Sequence, residues 1–232
     1  MAVALILAAG RGERLAAGEP KALTMLAGRP MFEWSVDALR SVHEVDRIVL
    51  ALPADHLDAA PAGVIAVAGG ATRSQSVRAA LKAADGADTD ESVIVHDAAR
   101  PLASPELFTE TLRELWRSGA DAVVAAIPVT DTIKHVPQAD RRVQLTVDRA
   151  QLWSAQTPQV FRRHALERAL AAPAELLEQA TDDAWLVEQQ GGTVVVHLAT
   201  AENFKITRPF DLLVAELLLR ERAGSHRPRN SR

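Results

Sequence analysis

Arg14 and Lys21 are the residues of this chain best suited to meet a phosphate, because they flank a run of very small residues. Leu7-Ala8-Ala9-Gly10-Arg11-Gly12-Glu13-Arg14-Leu15 leads into Glu19-Pro20-Lys21. Ala8, Ala9, Gly10 and Gly12 let the backbone approach a ligand closely and turn N–H groups toward phosphate oxygens, and Arg14 and Lys21 add positive charge. Two better-known phosphate loops do not fit. A dinucleotide fingerprint needs a small residue where Leu15 stands and an acid after a second strand, whereas Asp37 falls inside an expected helix. A Walker loop needs Gly-Lys-Ser/Thr, which the sequence lacks. An ordinary strand–turn–helix with solvated Arg and Lys would also account for the glycines alone.

Further polar strings follow. His96-Asp97-Ala98-Ala99-Arg100-Pro101 places a carboxylate at a strand's end with an arginine three residues on, able to hold ribose hydroxyls, a metal or an acceptor phosphate, or to form a local turn. Thr130-Asp131-Thr132-Ile133-Lys134 offers a hydroxyl and an ammonium to an anion, or is a polar turn. Thr146-Val147-Asp148-Arg149 and Leu152–Phe161, with Gln156-Thr157-Pro158-Gln159 at its centre, set polar groups round a proline between apolar anchors, so backbone shape is dictated there. Thr181-Asp182-Asp183-Ala184 has the form of a helix N-cap with acids in its first turn. Asn203–Pro209 carries Lys205 and Arg208, which reach a phosphate or are solvated.

The elements that must position these residues are legible as aliphatic runs at Val3–Leu7, Arg47–Leu52, Val64–Val67, Ser92–Val95, Ala122–Ile127 and Thr193–His197. Helical spacing fills Met31–Ser41, Thr72–Ala84, Pro105–Ser118, Asp183–Gln190 and Pro209–Arg222. Alternating strands and helices predict an α/β fold with a Rossmann-like, mostly parallel sheet covered on both faces, and ligands beyond the strands' carboxyl ends. Residues 129–157 are polar, with an alternating stretch at 142–147. They read as a protruding β-arm, which pairing with a second subunit would stabilise. Residues 1–222 are expected to form one domain and 223–232 a frayed tail.

The chain has 232 residues, 48% of them hydrophobic, enough for a full core. With 24% charged residues, a net charge of −4 and a pI near 6.0, it offers no general attraction to nucleic acid or anionic membrane. Four Trp, five Phe and no Tyr argue against stacking platforms for single strands. The absence of cysteine excludes thiolate chemistry and fits a reducing compartment, so the expected address is the cytoplasm. The apolar N-terminus ends too soon for a signal peptide or membrane span and reads as a buried strand.

The first loop, with Lys21 after a proline, resembles the signature of sugar nucleotidyltransferases. Taken with AGGATRSQSV, HDAARP, DTIK, VDR, AQTPQVF, TDDA and FKITRP, in that order from residue 2 to about residue 220, the chain resembles the 2-C-methyl-D-erythritol 4-phosphate cytidylyltransferase family. The resemblance implies a homodimer that uses CTP, a small polyol phosphate and Mg²⁺ bound mainly through the CTP phosphates, with no metal ligand set of its own. Arg14 and Lys21 match the catalytic residues. Ala9, Gly10, Gly70 and Ser76 match positions round cytosine and ribose, while Asp97 borders both pockets. Asp97, Arg100, Thr157, Thr181 and Lys205 match the acceptor pocket, and Thr132 and Arg149 match arm residues inserted into the neighbour's site, with Arg149 and Lys205 orienting the acceptor. Ala22-Leu23 stands where many members have a glutamine and an aromatic, Ala71 where some have an acid, and Trp185 where a small polar residue is expected. A cytidylyltransferase for ribitol 5-phosphate, a different base preference, or a nucleotide-binding regulator without chemistry are the competing readings.

Overall fold

A computed structural model describes residues 1–10, 23–84, 91–137 and 139–225. In chain order its strands are β1 (Ala2–Leu7), β2 (Met25–Leu26), β3 (Arg29–Pro30), β4 (Val45–Leu52), β5 (Ile65–Ala68), β6 (Ser92–Asp97), β7 (Ala122–Pro128), β8 (Ile133–His135), β9 (Leu145–Val147), β10 (Trp153–Arg162) and β11 (Val194–Leu198). Its helices are α1 (Met31–Arg40), α2 (Arg73–Ala83), α3 (Pro105–Ser118), α4 (Arg163–Leu170), α5 (Ala174–Gln179), α6 (Asp183–Gln189) and α7 (Pro209–Ser225). No helix among the described residues is long and apolar enough to cross a membrane.

Among the described residues, seven strands form the main sheet in the order β11-β7-β10-β6-β1-β4-β5. β1 lies near its centre, in parallel register with β4 and β6, so that Leu5 faces Val49 on one side and Val95 on the other. Successive side chains of a strand point to opposite faces, and both faces are filled. Ala4 and Ile6 meet Phe32, Val36 and Leu39 of α1 and Phe108, Leu112 and Leu115 of α3. Val3 and Leu5 meet Val77 and Leu81 of α2, Leu166 of α4 and Leu186 of α6. A continuous apolar run suits a strand covered in this way. The expected mostly parallel α/β sheet with helices on both faces is what forms.

β10 departs from the expected pattern. It runs antiparallel between β6 and β7, with Val160 opposite Ile94 and Val123. Residues 153–157, read from sequence as the end of the arm, therefore belong to the sheet. Pro158 cannot donate to a ladder, and the register shifts between Ala155 and Gln159, so no unbroken strand signal is left to read. What projects is the hairpin β8–β9, paired at Ile133–Val147 and His135–Leu145. The last helix continues to Ser225, past the boundary expected at 222; residues 226–232 of the predicted tail lie outside the described residues.

Glu91, just before β6, is 4% exposed in its side chain and anchors two neighbouring elements. Its Oε2 accepts from Arg163 Nε at 3.0 Å and Nη2 at 2.5 Å at the start of α4, and its Oε1 accepts from Arg47 of β4. Removing one partner of a buried pair leaves the other charge uncompensated. Glu91→Ala is expected to cost about 3–5 kcal/mol, measured as a lowered urea midpoint; a midpoint equal to that of the parent chain would contradict this role.

Candidate active site

The carboxyl ends of β1, β4, β5 and β6 share one edge of the sheet, and backbone hydrogen bonds tie their loops together. Ala8 N–H donates to Ala51 C=O at 2.8 Å, Gly69 N–H to Leu52 C=O at 2.8 Å and Ala98 N–H to Leu7 C=O at 3.0 Å. Ala8 is buried, and its amide is committed to the sheet, so it cannot present that N–H to a phosphate as the sequence reading expected. Ala9 is partly exposed and Gly10 exposed at the turn itself. Gly69 packs against this turn so closely that a Cβ there would lie 2.2 Å from Ala9 Cβ, which makes glycine a packing requirement at that position. Gly70 N–H donates to Ser76 Oγ at 3.1 Å.

Sequence also builds the start of α2. Thr72 Oγ1 accepts from Gln75 N–H at 3.2 Å, and Gln75 Oε1 accepts from Ala71 N–H at 2.8 Å and from Thr72 N–H at 3.3 Å. This reciprocal capping box fixes where the helix begins and sends Arg73 toward β6. There Asp97 is 9% exposed and meets two cations. Its Oδ2 lies 2.6 Å from Lys205 Nζ and its Oδ1 3.4 Å from Arg73 Nε. Arg73 Nη1 also bonds Asp183 Oδ2 at the first turn of α6. Burial opposes charge on Asp97, but Arg73 and Lys205 prevail and hold its carboxyl well below the usual carboxylate range. For Asp183, burial pushes the carboxyl up despite Arg73.

Lys205 arrives from the far side of the sheet. β11 lies next to β7, and the chain after it turns back across the site, held by buried bonds. Asn203 Nδ2 donates to Gln156 Oε1 at 2.7 Å and to Thr157 C=O at 2.9 Å, Arg100 Nη1 donates to Asn203 C=O at 2.8 Å, and Ile206 N–H donates to Ala99 C=O at 2.8 Å. An edge of this kind, with a small-residue turn, a shared carboxylate and a lysine brought from a distant segment, is suited to handling anionic ligands.

The sequence pattern of 2-C-methyl-D-erythritol 4-phosphate cytidylyltransferase, IspD, matches residues 2–221. The chain belongs to this family. It is 46% identical over 222 residues to the cytidylyltransferase of that name from Frankia casuarinae, covering 93% of this chain and 80% of the relative. With the one from Rhodococcus jostii it shares 44% over 228 residues, covering 97% and 96%. The crystal structure of the enzyme from Thermus thermophilus superposes with a TM-score of 0.77 at 34% identity, over 95% of this chain and 100% of the other. That of Francisella tularensis IspD gives 0.81 at 29% identity, over 94% and 99%.

Within this cytidylyltransferase fold the residues singled out from sequence separate into groups. Ala9, Gly10, Gly70 and Ser76 gather where the β1 and β5 loops meet, and Asp97, Thr157 and Lys205 gather at the end of β6. Arg100 is buried and clamps the Asn203 carbonyl. Thr181 is exposed beside α6, whose cap is Asp182, accepting from Trp185 N–H at 2.8 Å. Trp185 itself packs partly buried against the core formed with α2 and α4, which accounts for a large residue at that position. Thr132 and Arg149 sit at the base of the arm, both exposed, with Arg149 donating to Thr130 C=O. Gly12, Arg14 and Lys21 lie outside the described residues. Arg73, Gly69, His96 and Asn203 also shape the site, although neither their own residue type nor their spacing singles them out in the sequence. The capping box was a usable signal for Arg73, while the others are recognisable only from long-range packing.

His96 is fully buried, packed edge-on against Phe108 with ring centroids 4.9 Å apart. Its Nε2 lies 3.2 Å from Arg100 C=O, which can only accept, so Nε2 carries the proton and Nδ1 accepts from Thr157 Oγ1 at 3.1 Å. Thr157 Oγ1 in turn accepts from Asp97 N–H at 3.0 Å. Burial lowers the His96 pKa from 6.5 to about 4. The unfolded chain takes up this proton near 6.5 and the folded one resists it, so stability is complete above 6.5 and falls as pH drops toward 4. The loss reaches about 3 kcal/mol. Urea midpoints measured across that window are expected to fall less steeply for His96→Gln; an unchanged slope would remove His96 as the source.

Proposed function

We propose that this chain joins the cytidylyl group of CTP to 2-C-methyl-D-erythritol 4-phosphate, releasing pyrophosphate in isoprenoid precursor synthesis. Membership of the cytidylyltransferase family over residues 2–221 supports the reaction class. The observation that carries the reading to this site is the Lys205–Asp97 pair, a cation held 2.6 Å from a carboxylate at the edge where a nucleotide and an acceptor would meet. Both reactants are anions, so their mutual repulsion is the main obstacle.

In the proposed step an oxygen of the acceptor phosphate attacks the α-phosphorus of CTP. The bond from that phosphorus to the bridging oxygen breaks, and its electron pair leaves with pyrophosphate. The acceptor phosphate has a second pKa of about 6, so it is already a dianion near neutral pH and no base has to remove a proton. Arg14 and Lys21 would offset the charge that builds up on the α-phosphate. Gly10, Gly12, Gly70 and Ser76 would line the nucleotide, with Ala9 beside them. Lys205 would leave Asp97 to meet the acceptor phosphate, with Thr157 and Thr181 alongside. Both Asp97 oxygens already have cationic partners, which fits Mg²⁺ arriving on the CTP phosphates, where it would neutralise charge.

Arg149 and Thr132 would serve the neighbouring subunit's acceptor pocket through the arm, making the enzyme a homodimer. The arm's apolar side chains favour this: Val143 is 56% exposed and Leu145 51%. The expected compartment is the cytoplasm.

The test is pyrophosphate release across four nucleoside triphosphates and several polyol phosphates with Mg²⁺. Release is expected with CTP and the methylerythritol phosphate. Release with ribitol 5-phosphate alone would change the acceptor, and none with any pair would overturn the reading. In the same assay Lys21→Ala is expected to lower kcat roughly 10²-fold. Mixing Lys21→Ala with Arg149→Ala subunits should restore part of the activity, because the two defects then fall in different sites of the mixed dimer. No recovery from verified heterodimers would place Arg149 in its own subunit's pocket.

A further inference from the structure

Arg73 joins two carboxylates that come from distant parts of the chain. Asp183 is fully buried, its Oδ2 bonded to Arg73 Nη1 and its Oδ1 without a hydrogen-bond partner among the described residues. Asp97 takes Arg73 Nε on one oxygen and Lys205 Nζ on the other. The result is a row of alternating charge, Asp183–Arg73–Asp97–Lys205, buried at one end and open at the other. Lys205 is the open end: its side chain is 42% exposed, and a cavity of about 450 Å³ lined by Lys205, Thr207, Arg208 and Phe210 adjoins it.

We propose that Arg73 is a positioning residue for the acceptor phosphate, sharing the charge of Asp97 so that Lys205 can exchange that carboxylate for the incoming anion. This rests on the cytidylyl-transfer reading and extends it. Without Arg73, the lysine would be held more tightly, and its departure would leave the Asp97 carboxylate with no bonded cation as it faces a dianion. With Arg73 fixed beside it, Asp97 stays compensated throughout the exchange. Asp183 has a separate part. Asp183 is fully buried and bonded to Arg73 Nη1, so movement of Arg73 toward the phosphate would strand a buried carboxylate, and that cost keeps Arg73 from following Lys205.

The other groups facing Asp97 do not bond its carboxylate. Arg100, in the same loop, also favours the charged carboxylate from a distance, but its hydrogen bond goes to the Asn203 carbonyl. His96, on β6, is neutral and bonded at both ring nitrogens. Asp182, from α6, caps its own helix and accepts from Gln159 Nε2 at 2.8 Å.

Arg73→Gln alone strands a buried carboxylate and could prevent folding, so the informative variant is Arg73→Gln/Asp183→Asn, which removes one charge of each sign. Asp183→Asn, which keeps an oxygen for Arg73, is its reference, and Arg73→Lys tests rescue by charge. Relative to the reference, the double variant is expected to raise KM for the acceptor about tenfold, a shift of about 1.4 kcal/mol. Its KM for CTP and its melting temperature should change little, and Arg73→Lys should recover most of the acceptor affinity. A purely structural role would move both KM values and the melting temperature together.

A second readout does not depend on turnover: reductive methylation of Lys205, followed by mass spectrometry, should be slower in the double variant, because Asp97 has then lost its Arg73 contact and holds the lysine more tightly. Equal labelling rates, or an unchanged acceptor KM in an active enzyme, would overturn the inference. Absence of turnover in the parent chain would instead overturn the proposed reaction, while slower labelling would still uphold the charge sharing.

Discussion

Asp97 at the end of β6 holds two cations that reach it from opposite sides, and the site depends on that double contact. Arg73 is delivered by a helix whose start is fixed by the Thr72–Gln75 capping box. Lys205 is delivered by a segment that leaves the sheet at β11 and is brought back by Asn203 and Ile206. Neither cation would reach Asp97 from its own part of the sheet without those links. Hydrogen bonds then carry the constraint inward from the Asp97 amide, through Thr157 to His96 and on to Arg100. These bonds fix the Asp97 backbone, from which its carboxylate meets Arg73 and Lys205.

The antiparallel strand β10 is what makes the arrangement possible. Running opposite to its neighbours, it places its N-terminal half, with Gln156 and Thr157, at the edge where the parallel strands end. Thr157 lies close enough to accept from the Asp97 amide, and Gln156 close enough to hold Asn203. A wholly parallel sheet would have put a strand's amino end on the opposite edge. In this chain the same strand leads out of the arm, so the proposed contribution of Arg149 to a neighbouring site and the local order of Thr157 follow from one segment.

Much of the fold was legible because short-range rules govern it. Aliphatic runs such as Val3–Leu7 and Ala122–Ile127 are strands because both faces of a parallel sheet are covered, and Ser104-Pro105 before Leu107 and Phe108 announces α3. β10 was not legible, since Pro158 interrupts its ladder and its pairing depends on partners that lie far away in sequence. The candidate site divides in the same way. Asp97, Thr157 and Lys205 stood in recognisable strings, and the structure brings them together. Arg73 stood in a recognisable string too, but its significance comes from Asp183, 110 residues away. That the Ala8 N–H is taken up by the β1–β4 pairing was not legible, because small size alone does not reveal it.

The net charge of −4 gives the molecule no general attraction for anions, so any affinity for phosphorylated ligands must be local. The proposed nucleotide position, where the loops after β1 and β5 meet beside Asp97, is tested most simply by amide hydrogen exchange followed by mass spectrometry, with and without CTP and Mg²⁺. Slower exchange confined to the segments following β1 and β5 and to the start of α2 is expected. Unchanged exchange in those segments at saturating CTP, or protection confined to the arm or α7, would contradict it.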